Sequence, residues 1–420
     1  MDYRRRIVDI ELDELITGLP AIALEGAKGV GKTATATRRA DRIYSLEDAN
    51  QRAMLEVDPV LAFRGEGTIF IDEWQHAPYV WNAVRRAVDD GAAAGRFLLA
   101  GSAGADPSIK LHSGAGRIVR LMMRPMSLPE RGIETPTVSL QALLDGGAAI
   151  AGQTSIGVEA YAEQILASGF PGIWSKAESV RRHLLDSYID RIIDHDITEM
   201  GQIVRRPASL LQWLTAYGAA TARTASYASL LEASTAGESA MPTKVTAIVY
   251  RELLQRIWIL DPLPAWVPVF ASLKALGQAP KLHLVDPALA ARLMGATMES
   301  LLRGAGPDFG QGVFLGALFE SLAVQTVRVL AQACDARVFH MRTHGGEHEI
   351  DIIVERRDHQ VMAIEVKLSG VVRPAEVAQL NWLDQQLPGR VVDKVLINTG
   401  PYAYRRPDGV AVVPLALLGP

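Results

Sequence analysis

Gly26-Ala27-Lys28-Gly29-Val30-Gly31-Lys32-Thr33 sets glycines, a lysine and a hydroxyl at the full spacing G-x-x-x-x-G-K-[ST]. That spacing serves phosphate chemistry. The glycines let the backbone curl so that its N–H groups face phosphate oxygens, and a helix beginning near Lys32 adds its positive end. Lys32 is expected to reach the β- and γ-phosphates and the Thr33 hydroxyl to ligate Mg²⁺, with Gly26 to Ala34 lining the nucleotide.

A second group follows the apolar run Ile69-Phe70-Ile71. Asp72 suits the acid that holds Mg²⁺ through its water shell, and Glu73 the base that polarises the attacking water. Ser102, after Ala100-Gly101, is placed to sense the γ-phosphate or the water. Arg117, behind the glycine-rich turn His112-Ser113-Gly114-Ala115-Gly116, is a candidate arginine finger acting across a subunit interface. No N-K-x-D or T-K-x-D segment follows the loop, and Thr243-Lys244-Val245-Thr246 lacks the aspartate, so the expected nucleotide is ATP rather than GTP.

Far downstream, Asp351 lies in Glu349-Ile350-Asp351-Ile352-Ile353, and Glu365 and Lys367 in Ile364-Glu365-Val366-Lys367. Residues two apart on a strand share a face, so Glu365 and Lys367 point the same way. Carboxylates so placed would hold Mg²⁺ or Mn²⁺ against a phosphodiester, Lys367 would stabilise its charge or position water, and Glu320 would complete the site. A sheet edge with solvated charges has the same residues. The apolar setting, Met362-Ala363-Ile364 before Glu365 and Val366 after it, favours a site, because charges entering a buried strand need a reason.

The elements that must position these groups are legible in outline. Pro20 to Glu25, Thr68 to Ile71 and Arg96 to Ala100 read as buried strands, with a helix from Val80 to Ala94, which predicts a parallel α/β sheet over residues 1–155. Residues 156–305 turn helical, with helices at Ser209–Ala220, Ser226–Ala233 and Pro242–Arg256, then strand-like Trp258-Ile259-Leu260. This order fits a winged-helix module or a plain helical subdomain. A Gly/Pro-rich stretch, 304–310, precedes a third unit, 306–420. It has a helix at Val313–Ala333, strands at 336–339, 349–354, 361–367 and 394–397, and a helix at 375–386.

Of the 420 residues, 49% are hydrophobic and 21% charged, which predicts a globular chain. A single cysteine, Cys334, excludes an intrachain disulfide or a cysteine-based zinc site and suits the cytoplasm. The basic start is broken by Asp9 and Glu11, so no signal peptide is expected. The longest apolar stretch, Val313 to Ala331, carries Glu320, Gln325 and Arg328, so no membrane span is expected either. With a net charge of −4, a nucleic-acid partner must meet a local basic groove.

Together these segments resemble the prokaryotic AAA-type ATPases that carry a C-terminal domain of the restriction-endonuclease-like, PD-(D/E)XK class. The resemblance rests on Leu24 to Thr33, Ile71-Asp72-Glu73-Trp74-Gln75, Leu99 to Ser102, and Gly114 to Arg117 leading to Arg124-Pro125-Met126-Ser127-Leu128. It extends to Pro280-Lys281-Leu282-His283-Leu284-Val285-Asp286, Gly316 to Glu320, Glu349 to Asp351 and Ile364 to Lys367. It implies an ATPase core, a middle helical module of winged-helix character and a nuclease-like terminus with its acidic and lysine positions filled. The leading expectation is an ATP-dependent enzyme acting on nucleic acid, DNA first, with Lys244 or Arg251 on the helix 242–256 touching phosphates, and a homo-oligomer is expected if Arg117 acts in trans. The chain departs from the pattern at Ser102, where such proteins often carry asparagine, and in the small polar loop Ala233–Ala240. The alternative expectation is an ATP-operated switch, a regulator, toxin or defence component, whose nuclease-like domain only binds nucleic acid or a protein partner.

Overall fold

The computed structural model describes residues 3–102, 114–197, 206–225, 227–234, 244–268, 276–277, 279–303 and 313–420. Strands β1 (Ala21–Glu25), β2 (Arg42–Ser45), β3 (Ile69–Asp72), β4 (Phe97–Gly101) and β5 (Val119–Met122) form a sheet in the order β2-β3-β4-β1-β5. Every pairing is parallel. β1, β3 and β4 are buried at every residue, as expected of strands covered on both faces. Their register places the loop after Glu25, the acids after Ile71 and Ser102 at the same C-terminal edge of the sheet. Ligands of open α/β sheets bind at that edge.

A second sheet has seven strands: β7 (Gly152–Gln153), β12 (Tyr402–Arg405), β13 (Ala411–Pro414), β11 (Val391–Asn398), β10 (Val361–Val366), β9 (Glu349–Glu355) and β8 (Arg337–Arg342), in that spatial order. β7 lies on the first unit's side of residue 155, yet it pairs antiparallel with β12. Likewise β6 (Val138–Ser139) pairs parallel with β14 (Leu418–Gly419). One apolar core runs from Ile7 through the helix Val313–Ala333 to Leu418. That helix is long and apolar enough to cross a membrane by length and composition. Here Leu318, Leu322, Val327 and Leu330 are sealed in the core, and Gln325 donates to the Val285 carbonyl.

In the middle region the helices are Pro207–Ala219, Tyr227–Ser234 and Lys244–Arg256. The strand expected at 258–260 is not one. The last helix ends in a turn, with the amides of Trp258 and Ile259 donating to the Gln255 and Leu254 carbonyls. Trp258 takes a left-handed φ of 61°, which breaks any extended run. Only then does Leu260 bridge Leu284, and Leu263 bridge Lys281.

Candidate functional site

The loop between β1 and the helix Lys32–Thr37 has three glycines at positive φ: Gly26 at 153°, Gly29 at 83° and Gly31 at 106°. A Cβ on Gly26 would lie 2.1 Å from the Met123 carbonyl oxygen, so only glycine fits. Inside the loop Lys32 Nζ donates to the carbonyls of Gly26 (2.8 Å) and Ala27 (3.0 Å). Burial pushes its ammonium down to about 8, against the pull of Glu73 and Asp72. An anion in the loop would stabilise that ammonium's charge.

Across the sheet edge Thr33 Oγ1 donates to Asp72 Oδ2 at 2.9 Å. Burial raises the Asp72 carboxyl, and the Thr33 hydrogen bond opposes the rise. Glu73, at a left-handed φ of 51°, turns its Oε2 to accept from Ser102 Oγ at 2.9 Å and from the Gln75 amide. Ser102 thus meets Glu73 itself. Arg117 lies apart from this group, its Nε donating to Asp89 Oδ1 at 2.8 Å.

The loop is braced from two sides. Buried Arg6 pairs with Glu130 at 2.9 Å and donates to the Val30 carbonyl at 2.8 Å. On the other side Tyr188 Oη donates to the Lys28 carbonyl at 2.9 Å, while the Lys28 ammonium lies 3.7 Å from Asp196. Tyr188 packs on Phe170, whose ring edge lies 3.8 Å from where a Gly29 Cβ would sit. Phe170 is held through its neighbours: Ser168 Oγ and the Gly169 amide both donate to Asp286 Oδ2, at 2.9 and 2.6 Å.

Asp286 ends the segment whose other end enters the C-terminal domain. There the Lys281 ammonium lies 2.8 Å from Glu320, 3.0 Å from Glu349 and 2.8 Å from Asp351. Asp351 Oδ2 also accepts the Val366 amide at 3.0 Å, and Lys367 Nζ donates to Glu365 Oε2 at 2.9 Å and lies 3.9 Å from Asp351. The four residues expected from sequence, Glu320, Asp351, Glu365 and Lys367, therefore lie together, joined by Lys281 and Glu349. Burial would lower Lys281, but Asp351, Glu320 and Glu349 hold it well above its ordinary value. Burial would raise Asp351, yet Lys281 and Lys367 bring it down to about 2. Burial and the Asp351 charge push Glu320 up to about 8 and Glu365 well above the usual range.

The AAA domain family model matches residues 19–131. The segment that carries the P-loop is thus similar to an AAA ATPase domain. Models of two domains of unknown function, DUF8612 and DUF4143, match residues 158–300 and 315–418. An uncharacterized protein of Mycobacterium bovis and one of Mycobacterium tuberculosis are each 23% identical over 422 residues, spanning 99% of this chain and 84% of the relative. Among solved structures, the Walker-type ATPase PABY2304 of Pyrococcus abyssi overlays with a TM-score of 0.42 at 14% identity, covering 70% of this chain and 96% of that one. That last likeness is too slight for any argument to rest on it.

In the AAA-like domain the facing Thr33 hydroxyl and Asp72 carboxylate suit a hard, oxygen-seeking cation, and they would hold a metal ion that neutralises phosphate charge. The C-terminal carboxylates fit such an ion less well. Lys281 already spans three of them, and among the described residues no group of three metal-ligating side chains is arranged for a metal. Of the middle region's candidates, Arg251 lies 3.5 Å from Glu252, and the Lys244 side chain falls outside the described residues. Sequence reasoning noticed Lys281 only as part of a segment. Its signal was a lysine alternating into apolar surroundings, with Leu282 and Leu284 beside it. Nothing marked Tyr188 or Phe170.

Proposed function

We propose that this chain hydrolyses ATP with Mg²⁺ at the P-loop and uses the cycle to gate a C-terminal acid–lysine site that processes nucleic acid, DNA in the first instance. The observation that supports it is the segment 281–286. One end puts Lys281 among the C-terminal carboxylates, and the other, Asp286, holds the residues that flank Phe170 under the nucleotide loop. His283 between them donates to or accepts from Ser321 at 3.2 Å, so the segment is fastened along its length.

In the proposed cycle Lys32 contacts the β- and γ-phosphates, and Glu73, aimed by Ser102 and Gln75, takes the proton of the attacking water. Arg117 would exchange Asp89 for a neighbouring subunit's γ-phosphate in a homo-oligomer. The test pairs phosphate release with Mg²⁺- or Mn²⁺-dependent cleavage of DNA and RNA, in wild type, Lys32→Ala and Asp351→Ala. Cleavage should need Asp351 and respond to ATP through Lys32. Absence of cleavage of every substrate by wild type would remove the nuclease half.

A second reading has its own observation. With Lys281 within 3.0 Å of three carboxylates, the C-terminal acids already have a cation among them without metal. It would then be the binding arm of an ATP-operated switch, holding nucleic acid or a protein partner without cutting. ATPase activity that ignores every nucleic acid, together with no cleavage, selects this reading.

A further inference from the structure

We infer that Asp196 competes with the nucleotide's phosphates for the Lys28 ammonium, so that a helix of the middle region sets how tightly the loop takes ATP. The inference deepens the ATP reading of the P-loop and rests on it, but on nothing at the C-terminal site.

Three observations converge. First, Lys28 is held by backbone and by side chain from a single stretch of the middle region. Tyr188 Oη donates to its carbonyl at 2.9 Å, and its ammonium lies 3.7 Å from Asp196 Oδ1. Second, that stretch is shaped to bring the two residues to one face. The helix Glu178–Arg191 passes directly into a π-helical turn, Ile192–Asp196. At about 100° per residue, positions eight apart on a regular α-helix diverge by roughly 80°. A π turn takes up one extra residue, which returns them to within roughly 20°, as if they were seven apart. Such turns are uncommon and concentrate at functional sites. The helix is also anchored, because Arg292 donates twice to Asp186, at 2.5 and 2.8 Å. Third, Lys28 acts on the phosphate side of the loop. Burial holds the Lys32 ammonium down to about 8 and the charge of Lys28 adds to it, so the two cations feel each other across the loop. The Lys28 side chain is 36% exposed, against 13% for Asp196, so a phosphate can reach the lysine while the acid stays in place. A pair this exposed is weak. A phosphate group, with its stronger charge-assisted hydrogen bonds, outbids the carboxylate but must first displace it.

The test titrates the full chain, with Mg²⁺ present, with a fluorescent ATP analogue, and phosphate release gives KM and kcat. Asp196→Asn should bind the analogue about threefold more tightly than wild type, the size of a partly exposed ion pair, and KM should fall alike. Asp196→Glu keeps the charge and should bind as wild type does. Lys28→Met should bind more weakly, and adding Asp196→Asn to it should change nothing further, because the two residues act on one contact. Asp196→Ser repeats the measurement should the asparagine variant melt early. A merely structural Asp196 would lose affinity on substitution. A bare repulsion between carboxylate and phosphates would give the same gain with or without Lys28. Either result overturns the inference, and so does unchanged affinity in Asp196→Asn. A wild type that binds no ATP removes the P-loop reading together with this one, whereas ATP binding indifferent to Asp196 removes this one alone.

Discussion

Replacing Glu73 with glutamine should nearly abolish turnover while sparing nucleotide binding. The side chain accepts at one oxygen, Oε2, from Ser102 at 2.9 Å and from the Gln75 amide. Glutamine keeps the volume and an acceptor oxygen for these donors. It loses the charge and the lone pair that would take the proton of water. Removing a general base lowers the rate about 10²–10⁴-fold, which corresponds to roughly 3–5 kcal/mol in the barrier. Ser102→Ala removes one hydrogen bond to a charged group, worth roughly 1.5–3 kcal/mol. Only the part that aims Glu73 reaches kcat, so the expected loss is on the order of tenfold. Since Ser102 acts through Glu73, the alanine should change little when glutamine already stands at 73. Phosphate release under saturating ATP gives kcat, and a fluorescent ATP analogue gives affinity. Wild-type turnover in Glu73→Gln would refute the assignment of the base. An equal Ser102→Ala loss in both backgrounds would refute the claim that Ser102 works through it.

Gly26→Ala should abolish nucleotide binding in titration calorimetry, because its Cβ would collide with the Met123 carbonyl at a φ reserved for glycine. Asp261→Asn should lower stability by about 3 kcal/mol, read from urea midpoints, since Arg124 (2.7 Å) and Arg328 (2.9 Å) share that carboxylate. Burial alone would raise Asp261, but the two arginines hold it well below the usual range. Buried His283 is pushed down to about 3 by burial, Lys281 and Arg328. It stays neutral in the fold while the unfolded chain takes up a proton below pH ~6.5. Stability should therefore fall as pH drops from about 6.5 towards 3, and His283→Gln should flatten that slope in urea titrations at pH 7.5 and 5; an unchanged slope contradicts it.

What could be read from the sequence follows from burial. β1, β3 and β4 are buried along their whole length, so they appear as apolar runs. β2 and β5 line the sheet's edges half exposed, with Arg42 and Arg120 among their residues, and give no such run. Asp351, Glu365 and Lys367 were legible because strand alternation is local. Lys281 had no legible role because its partners, Glu320, Glu349 and Asp351, are met only through tertiary folding. Arg117 shows the converse: its glycine-rich turn is plain in sequence, whereas Asp89 is set by packing.

The crossed strands have a consequence for how the protein is made. β6 and β7 leave the AAA side of the chain and find their partners in β14 and β12, near the far end of the sequence. During synthesis at roughly 5–20 residues per second these strands wait exposed for tens of seconds before their partners emerge. Once closed, they act as a clasp. A protease nick in the loop 154–157 should leave the two pieces held together by both pairings, and they should part only when the whole core unfolds.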